Sequence, residues 1–166
     1  MSESANSQYD LTTRWQVDAP IDAVWEAILD AEGWPRWWPG VERVDTLARG
    51  DASGVGTRRR YVCKSVLPFR LTFVTRVTRV EPLYLIEGRV DGELEGVGCC
   101  YLGRDAGLTT VRYEWHVRTT RRWMNVLAPL LKPLFRRNHD AIMRAGGIGL
   151  TRHLGTKAEA ESNRSS

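Results

Sequence analysis

Few side chains in this chain of 166 residues have the type and spacing for chemistry. Arg59 and Tyr61 alternate along one strand-like run, so they share a face. Tyr113 and Trp115 do the same in a later run. Asn138 and His139 interrupt an apolar helical stripe near the C-terminus. On a wall poor in water, an arginine beside a tyrosine could steady negative charge developing on oxygen. A histidine or asparagine there could help to relay a proton. Each residue also has a structural reading. Arg59 could snorkel from a strand end to solvent. Tyr61 and Tyr113 could be rim or core tyrosines with satisfied hydroxyls. His139 could lie on the helix surface.

Other chemistries lack their residues. His116, His139 and His153 have no metal-ligand spacing, and no HExxH pattern occurs. Gly146-Gly147-Ile148-Gly149 follows a helix and does not link a strand to one, so it is no phosphate loop. There is no GxSxG elbow. Glu93 and Glu95 share a face near a turn, which reads as solvated carboxylates before it reads as an acid/base pair. Cys63, Cys99 and Cys100 are odd in number, and two are adjacent. They read as small buried residues, neither a disulfide framework nor a metal set. No metal and no cofactor are expected.

These candidates need elements to place them. Tyr9–Val17 alternates as a strand, with Tyr9, Leu11, Thr13, Trp15 and Val17 on one face. A helix should start at Asp18 or Ala19, with Pro20 in its first turn, and stop near Asp30 to Gly33. Its apolar face is Ile21, Val24, Trp25 and Ile28. Trp34, Trp37 and Trp38 follow in a short helical turn bounded by Pro35 and Pro39. They either plug one end of the core or wall a cavity mouth.

Strand-like runs come next: Val41–Ala48, Val55–Val66, Phe69–Val80, Pro82–Val90, Glu93–Leu102 and Thr109–Thr119. The tight turns at Leu67-Pro68, Glu81-Pro82, Asp91-Gly92 and Arg104–Gly107 make this an antiparallel meander. Alternation puts Thr57, Arg59, Tyr61 and Cys63 inward, and Arg58, Arg60 and Lys64 in water. Phe69, Leu71, Phe73, Thr75 and Val77 share the inward face, joined by Tyr84, Ile86 and Val90. Both faces of Glu93–Leu102 are mixed. Val111, Tyr113, Trp115 and Val117 point inward. A wall that is apolar and aromatic but carries a few polar groups suits a ligand cavity better than a dry core.

The last long stretch, Arg121–Leu154, closes the structure. Met124, Leu127, Leu131, Leu134, Phe135, Ile142, Ala145 and Leu150 recur at roughly helical spacing. Such a stripe needs a partner, and a curved sheet supplies one. Pro133 has no N–H for the carbonyl of Pro129. Arg121–Ala128 is therefore expected as a separate turn or kinked lead-in, capped by Thr119 or Thr120, and as the place of an entrance. Gly146, Gly147 and Gly149 either end the helix near Ala145 or allow a close contact with Ala23 to Ala27 or the sheet. Continuation is favoured, because Ile148, Leu150 and Leu154 keep the apolar pattern.

Length and composition bound the rest. The chain fits one domain, residues 9–155, between a flexible 1–8 and a disordered 156–166. Hydrophobic residues make up 42% and charged ones 27%, as in globular proteins. No apolar run reaches the ~20 residues of a membrane span, and no signal-peptide core is visible. A cytoplasmic location is the default expectation. The net charge of +4 is mild. Basic clusters at Arg58–Arg60, Arg118–Arg122 and Arg136–Arg137 are solvated faces or contacts for acidic ligands or lipid headgroups. No basic run interleaved with aromatics suggests nucleic acid. Oligomeric state is not legible.

The order of strand, helix beginning DAPIDAVWEAILD, WPRWWPGV, six strands and a long C-terminal helix resembles the START-like, polyketide cyclase/dehydrase-like superfamily. Val17–Val41 carries most of that resemblance. It implies an α+β helix-grip fold: a curved antiparallel sheet of about seven strands around the last helix, with two short helices after the first strand. It also implies an apolar cavity between sheet and helix. Members bind lipids, polyketides, isoprenoid quinones or hormones, and some catalyse cyclisation or dehydration. The expected ligand contacts here are Arg59, Tyr61, Phe73, Thr75, Tyr84, Tyr113, Trp115, Leu131, Phe135, Asn138 and Ile142. Arg59, Asn138 and His139 are the catalytic candidates if a reaction occurs. The expected ligand is small and hydrophobic with some polar character. The rival reading is a protein-interaction module that uses the basic patches; transient contact with a membrane surface is a related expectation.

Overall fold

The computed structural model describes residues 7–64 and 70–164, with side chains described as far as residue 155. Seven strands form one antiparallel sheet: β1 Gln8–Val17, β2 Val41–Ala48, β3 Arg58–Cys63, β4 Leu71–Glu81, β5 Leu85–Gly92, β6 Leu94–Asp105 and β7 Leu108–Thr119. Their order is β1-β7-β6-β5-β4-β3-β2. Everything from β2 to β7 is thus a meander, and β1 joins it beside β7. The turn expected at Leu67-Pro68, and Phe69, lie outside the described residues. Gln8, expected in a loose N-terminal segment, belongs to β1. Ser7 is buried and its carbonyl accepts from the Thr119 amide.

Between β1 and β2 the chain forms α1, Ile21–Leu29, and a 3-10 helix, Ala31–Arg36. α1 buries Val24, Trp25, Ala27 and Ile28, the face its 3.6-residue period marks. It begins after Pro20, one or two residues later than expected, and no side chain caps it.

The C-terminal stretch is jointed. α2 spans Arg122–Val126 and α3 spans Ala128–Arg164. Leu127 ends α2 and is exposed, so it does not belong to the buried stripe. The expected threonine cap is absent: Arg121 stands at the cap position and makes no side-chain cap bond. The Thr119 hydroxyl instead donates to Asn125 Oδ1, and that of Thr120 to the Gly92 carbonyl.

α3 continues through its glycines. A Cβ on Gly146 would lie 2.5 Å from Trp38 Cε2, and one on Gly149 1.7 Å from the Trp37 carbonyl oxygen. The glycines are there because tryptophans press on the helix. Ile148, expected inside, is half exposed. The loose tail expected after Gly155 is instead helical to Arg164. Lys157, Ala158, Glu159, Ala160 and Glu161 are strong helix formers, which favours that continuation.

Inside the sheet sits one core, with Val17, Val24, Val111 and Leu150 wholly buried. The sheet bends over α3, and Gly96 permits part of that bend. Its φ is +151°, and a Cβ there would meet the His116 carbonyl at 2.0 Å.

Candidate functional site

Sheet and α3 do not close on each other completely. Between them lies a cavity of about 280 Å3. β3 and β4 carry one wall. Their register sets Arg59 opposite Thr75 and Tyr61 opposite Phe73. β7 adds Tyr113 and Trp115, and α3 adds Phe135, Asn138, His139 and Ile142.

The wall is largely aromatic. Tyr61 stacks on Phe73 at 5.4 Å, and Trp115 meets Phe73 edge-on at 5.6 Å. Trp34 lies 5.5 Å from Tyr61 and 5.1 Å from Trp38. Trp15 packs edge-on against Tyr113 at 5.0 Å. Trp34 and Trp38 therefore line the cavity, while Trp37 stacks behind on Trp38 and faces His153. The two readings of the tryptophan run both hold, for different members of it.

Polar atoms in this wall are few and incompletely paired. Arg59 donates to the Leu29 carbonyl from Nη2 at 3.4 Å, but its Nε is buried without a partner. Burial pushes the Tyr61 hydroxyl above the usual tyrosine range. The Arg59 charge and hydrogen bonding with Thr75 and Arg59 pull it back. The Tyr113 hydroxyl is sealed from solvent with only the Cys100 thiol, a weak partner, beside it; burial, and then Cys100, push it well up. Both His139 nitrogens are buried, and neither makes a well-formed hydrogen bond; Nδ1 has the Asp140 carboxylate at 3.6 Å. Burial lowers the His139 pKa, with Asp140 opposing from 3.6 Å. The neutral imidazole is thus favoured. An unpaired buried polar atom costs about 1–3 kcal/mol. Three residues with such poorly paired atoms, Arg59, Tyr113 and His139, line this one cavity.

Charge in the cavity is one-sided. Arg59, Lys64 and His139 are its basic groups, and no carboxylate lines it among the described residues. Lys64 corrects the alternation reading, which put it in water: it is exposed but borders the cavity where β3 ends. Exposed Leu29, Ser53 and Lys64 mark where the cavity reaches solvent. At the α2–α3 joint, expected as an entrance, Met124 lines the cavity and is 1% exposed.

Nine of the eleven expected contact residues line the cavity, as does His139. Tyr84 does not. It sits in the β4–β5 turn, 52% exposed, edge-on to Tyr101. Leu83 takes φ +62° in that turn, which ends the alternation that had put Tyr84 inside. Leu131 also lies off the cavity, on a half-buried flank of α3. Sequence reasoning missed Val80. A register shift between Val77 and Arg79 turns Val80 inward, and bulges leave no clear mark in the pattern. Glu93 and Glu95 are structural: Glu93 accepts from the Thr72 amide and pairs with Arg121, and Glu95 pairs with Arg118. Cys63 and Cys100 are inert thiols, each pushed up to about 12 chiefly by burial.

A family model described as polyketide cyclase / dehydrase and lipid transport matches residues 8–147. No curated protein matches the sequence. Solved structures resemble the fold. The START superfamily protein from Mycobacterium smegmatis is 14% identical with a TM-score of 0.67, covering 90% of this chain and 97% of that one. The Zhui aromatase/cyclase from a Streptomyces species is 18% identical with a TM-score of 0.65, covering 87% and 94%. The di-domain ARO/CYC BexL from the BE-7585A biosynthetic pathway is 19% identical with a TM-score of 0.70. It covers 90% of this chain, which spans 50% of that one.

Proposed function

We propose, from the premise that this chain belongs to the polyketide cyclase / dehydrase and lipid transport family, that it binds one small, mainly aromatic or apolar molecule with polar or anionic substituents. The observation that carries this reading is an aromatic cavity lined by Arg59, Tyr113 and His139, whose buried polar atoms Nε, Oη and the ring nitrogens make no well-formed hydrogen bond within the protein. The volume, about 280 Å3, is at the small end of ligand sites, which run from about 300 to 1,000 Å3. That favours a few fused rings or one short chain over a two-chain lipid. Arg59 and Lys64 favour an acidic substituent near the mouth, and Tyr113 and His139 favour hydroxyl or carbonyl groups deeper in.

Native mass spectrometry of protein purified from its source cell tests this reading. A copurifying aromatic or acidic apolar molecule, released on denaturation, is expected. Protein that is reproducibly empty, and whose melting temperature no such compound raises, would overturn it. The three free cysteines suit a reducing compartment, which favours the cytoplasm.

A second reading is favoured by one arrangement: a neutral imidazole and a phenol in the wall of the same cavity can relay a proton in a cyclisation or dehydration. Mutating Arg59 and Asn138 separates the readings. Turnover lost with binding kept favours an enzyme, and parallel loss favours a binder.

A further inference from the structure

The α2–α3 joint has a property the cavity does not use. Trp123, Val126, Leu127 and Leu130 are all exposed there, Val126 by 74% and Leu130 by 79%. Large apolar side chains grouped on a surface mark an interaction site. The sequence around them is basic: no acidic residue occurs from residue 115 to residue 139. Arg118 and Arg121 are paired with Glu95 and Glu93. Arg122, Arg136 and Arg137 are exposed with no ion pair among the described residues. Lys132 lies over the Tyr9 ring at 5.5 Å.

We propose that this joint docks on an anionic lipid bilayer, with Trp123, Val126, Leu127 and Leu130 in the interface and Arg122, Arg136 and Arg137 on the headgroups. The charge decides for this occupant. A second copy of the chain would bring the same unpaired arginines together, at a cost in repulsion. An anionic surface neutralises them, and each basic residue near it is worth about 1 kcal/mol, a factor of about five in partition. An indole beside aliphatic side chains with arginine flanks is also the composition of an interfacial anchor. No helix among the described residues is long and apolar enough to cross a membrane. Docking would also have a direct line to the cavity. Met124, next to Trp123, points the other way and lines the cavity, as does Phe135 of α3.

Flotation of the full chain with vesicles tests the proposal. One set is phosphatidylcholine alone; the other contains about one-third phosphatidylglycerol. Binding to the anionic set, weakened by salt and at least about tenfold stronger than to the neutral set, is expected. Arg136→Glu with Arg137→Glu should lower it by about 25-fold or more. Leu130→Ser with Val126→Ser should lower it at unchanged charge. These residues are exposed, so circular dichroism and the melting temperature should not move. Equal binding to both vesicle types would overturn the proposal, as would none. So would a mass doubling with protein concentration that Leu130→Ser abolishes, since the patch would then belong to a dimer.

Discussion

The indole N–H of Trp38 donates to the carbonyl of Ile142 at 2.8 Å, one turn before Gly146. Trp15 does the same to Met143, one turn before Gly147. A helix offers those two carbonyls to the amides of Gly146 and Gly147. Each therefore serves two donors, and the indoles reach them only because the glycines have no side chains.

Gly146→Ala or Gly149→Ala should destabilise the protein by about 1–3 kcal/mol or more. Overpacking of this kind forces side chains and backbone to shift. Gly155→Ala is the control. Its Cβ would meet nothing within 4 Å, and it lies inside α3. It should stabilise by about 0.5–1 kcal/mol, since glycine is the poorer helix former. Urea midpoints measure both, and equal signs would refute the close packing.

Tyr113→Phe removes a buried hydroxyl whose one polar neighbour within the protein is the weakly bonding Cys100 thiol. Thermal unfolding should show unchanged or higher stability, by up to about 1 kcal/mol. Ligand affinity should fall by roughly two- to tenfold, the worth of one hydrogen bond. A large loss of stability would mean that the hydroxyl is satisfied after all.

His139 sets a pH dependence. Its pKa in the folded protein lies below the ordinary 6.5, mainly through burial. As pH falls through the ordinary value, the unfolded chain binds the proton first. Stability is therefore full above that value and declines below it, until the folded imidazole also protonates. His139→Gln should flatten the curve of stability between about pH 7 and pH 5. An anionic ligand should flatten it in the wild type, because it favours the imidazolium. A curve identical in wild type and variant would place His139 in contact with water.

Trp115→Ala and Trp15→Ala compare a cavity wall with a core. Trp15 is buried, and Trp115 is half-buried against the empty space. Trp15→Ala should cost about 3–5 kcal/mol and Trp115→Ala distinctly less. Only the Trp115 variant should change affinity for aromatic ligands without unfolding the protein. Equal costs in denaturant would mean that the cavity is filled.

Strand faces were legible because a period of two is strict. Arg59, Tyr61, Phe73, Thr75 and Tyr113 fall where alternation puts them. Alternation failed where the backbone left it, at the Leu83 turn beside Tyr84 and at the shift before Val80. The helix stripe was less reliable. Leu127 and Leu131 fit its spacing, but the break between α2 and α3 resets the helix phase. The glycines read as interruptions until their neighbours were known. Trp15 and Trp38 lie more than a hundred residues away in the chain, and no local pattern carries that contact.

The two indoles that hold Ile142 and Met143 make α3 unequal along its length. Its later part is riveted to the wall at two adjacent carbonyls, with ring faces filling the gaps. Its earlier part includes Pro133, which lacks one helical hydrogen bond, and rests on a short, separate α2. A ligand that needs more room than the cavity offers is expected to swing α3 like a door hung at its far end. Amide exchange would register this as faster opening from Ala128 to Asn138 than from Ile142 to Leu150.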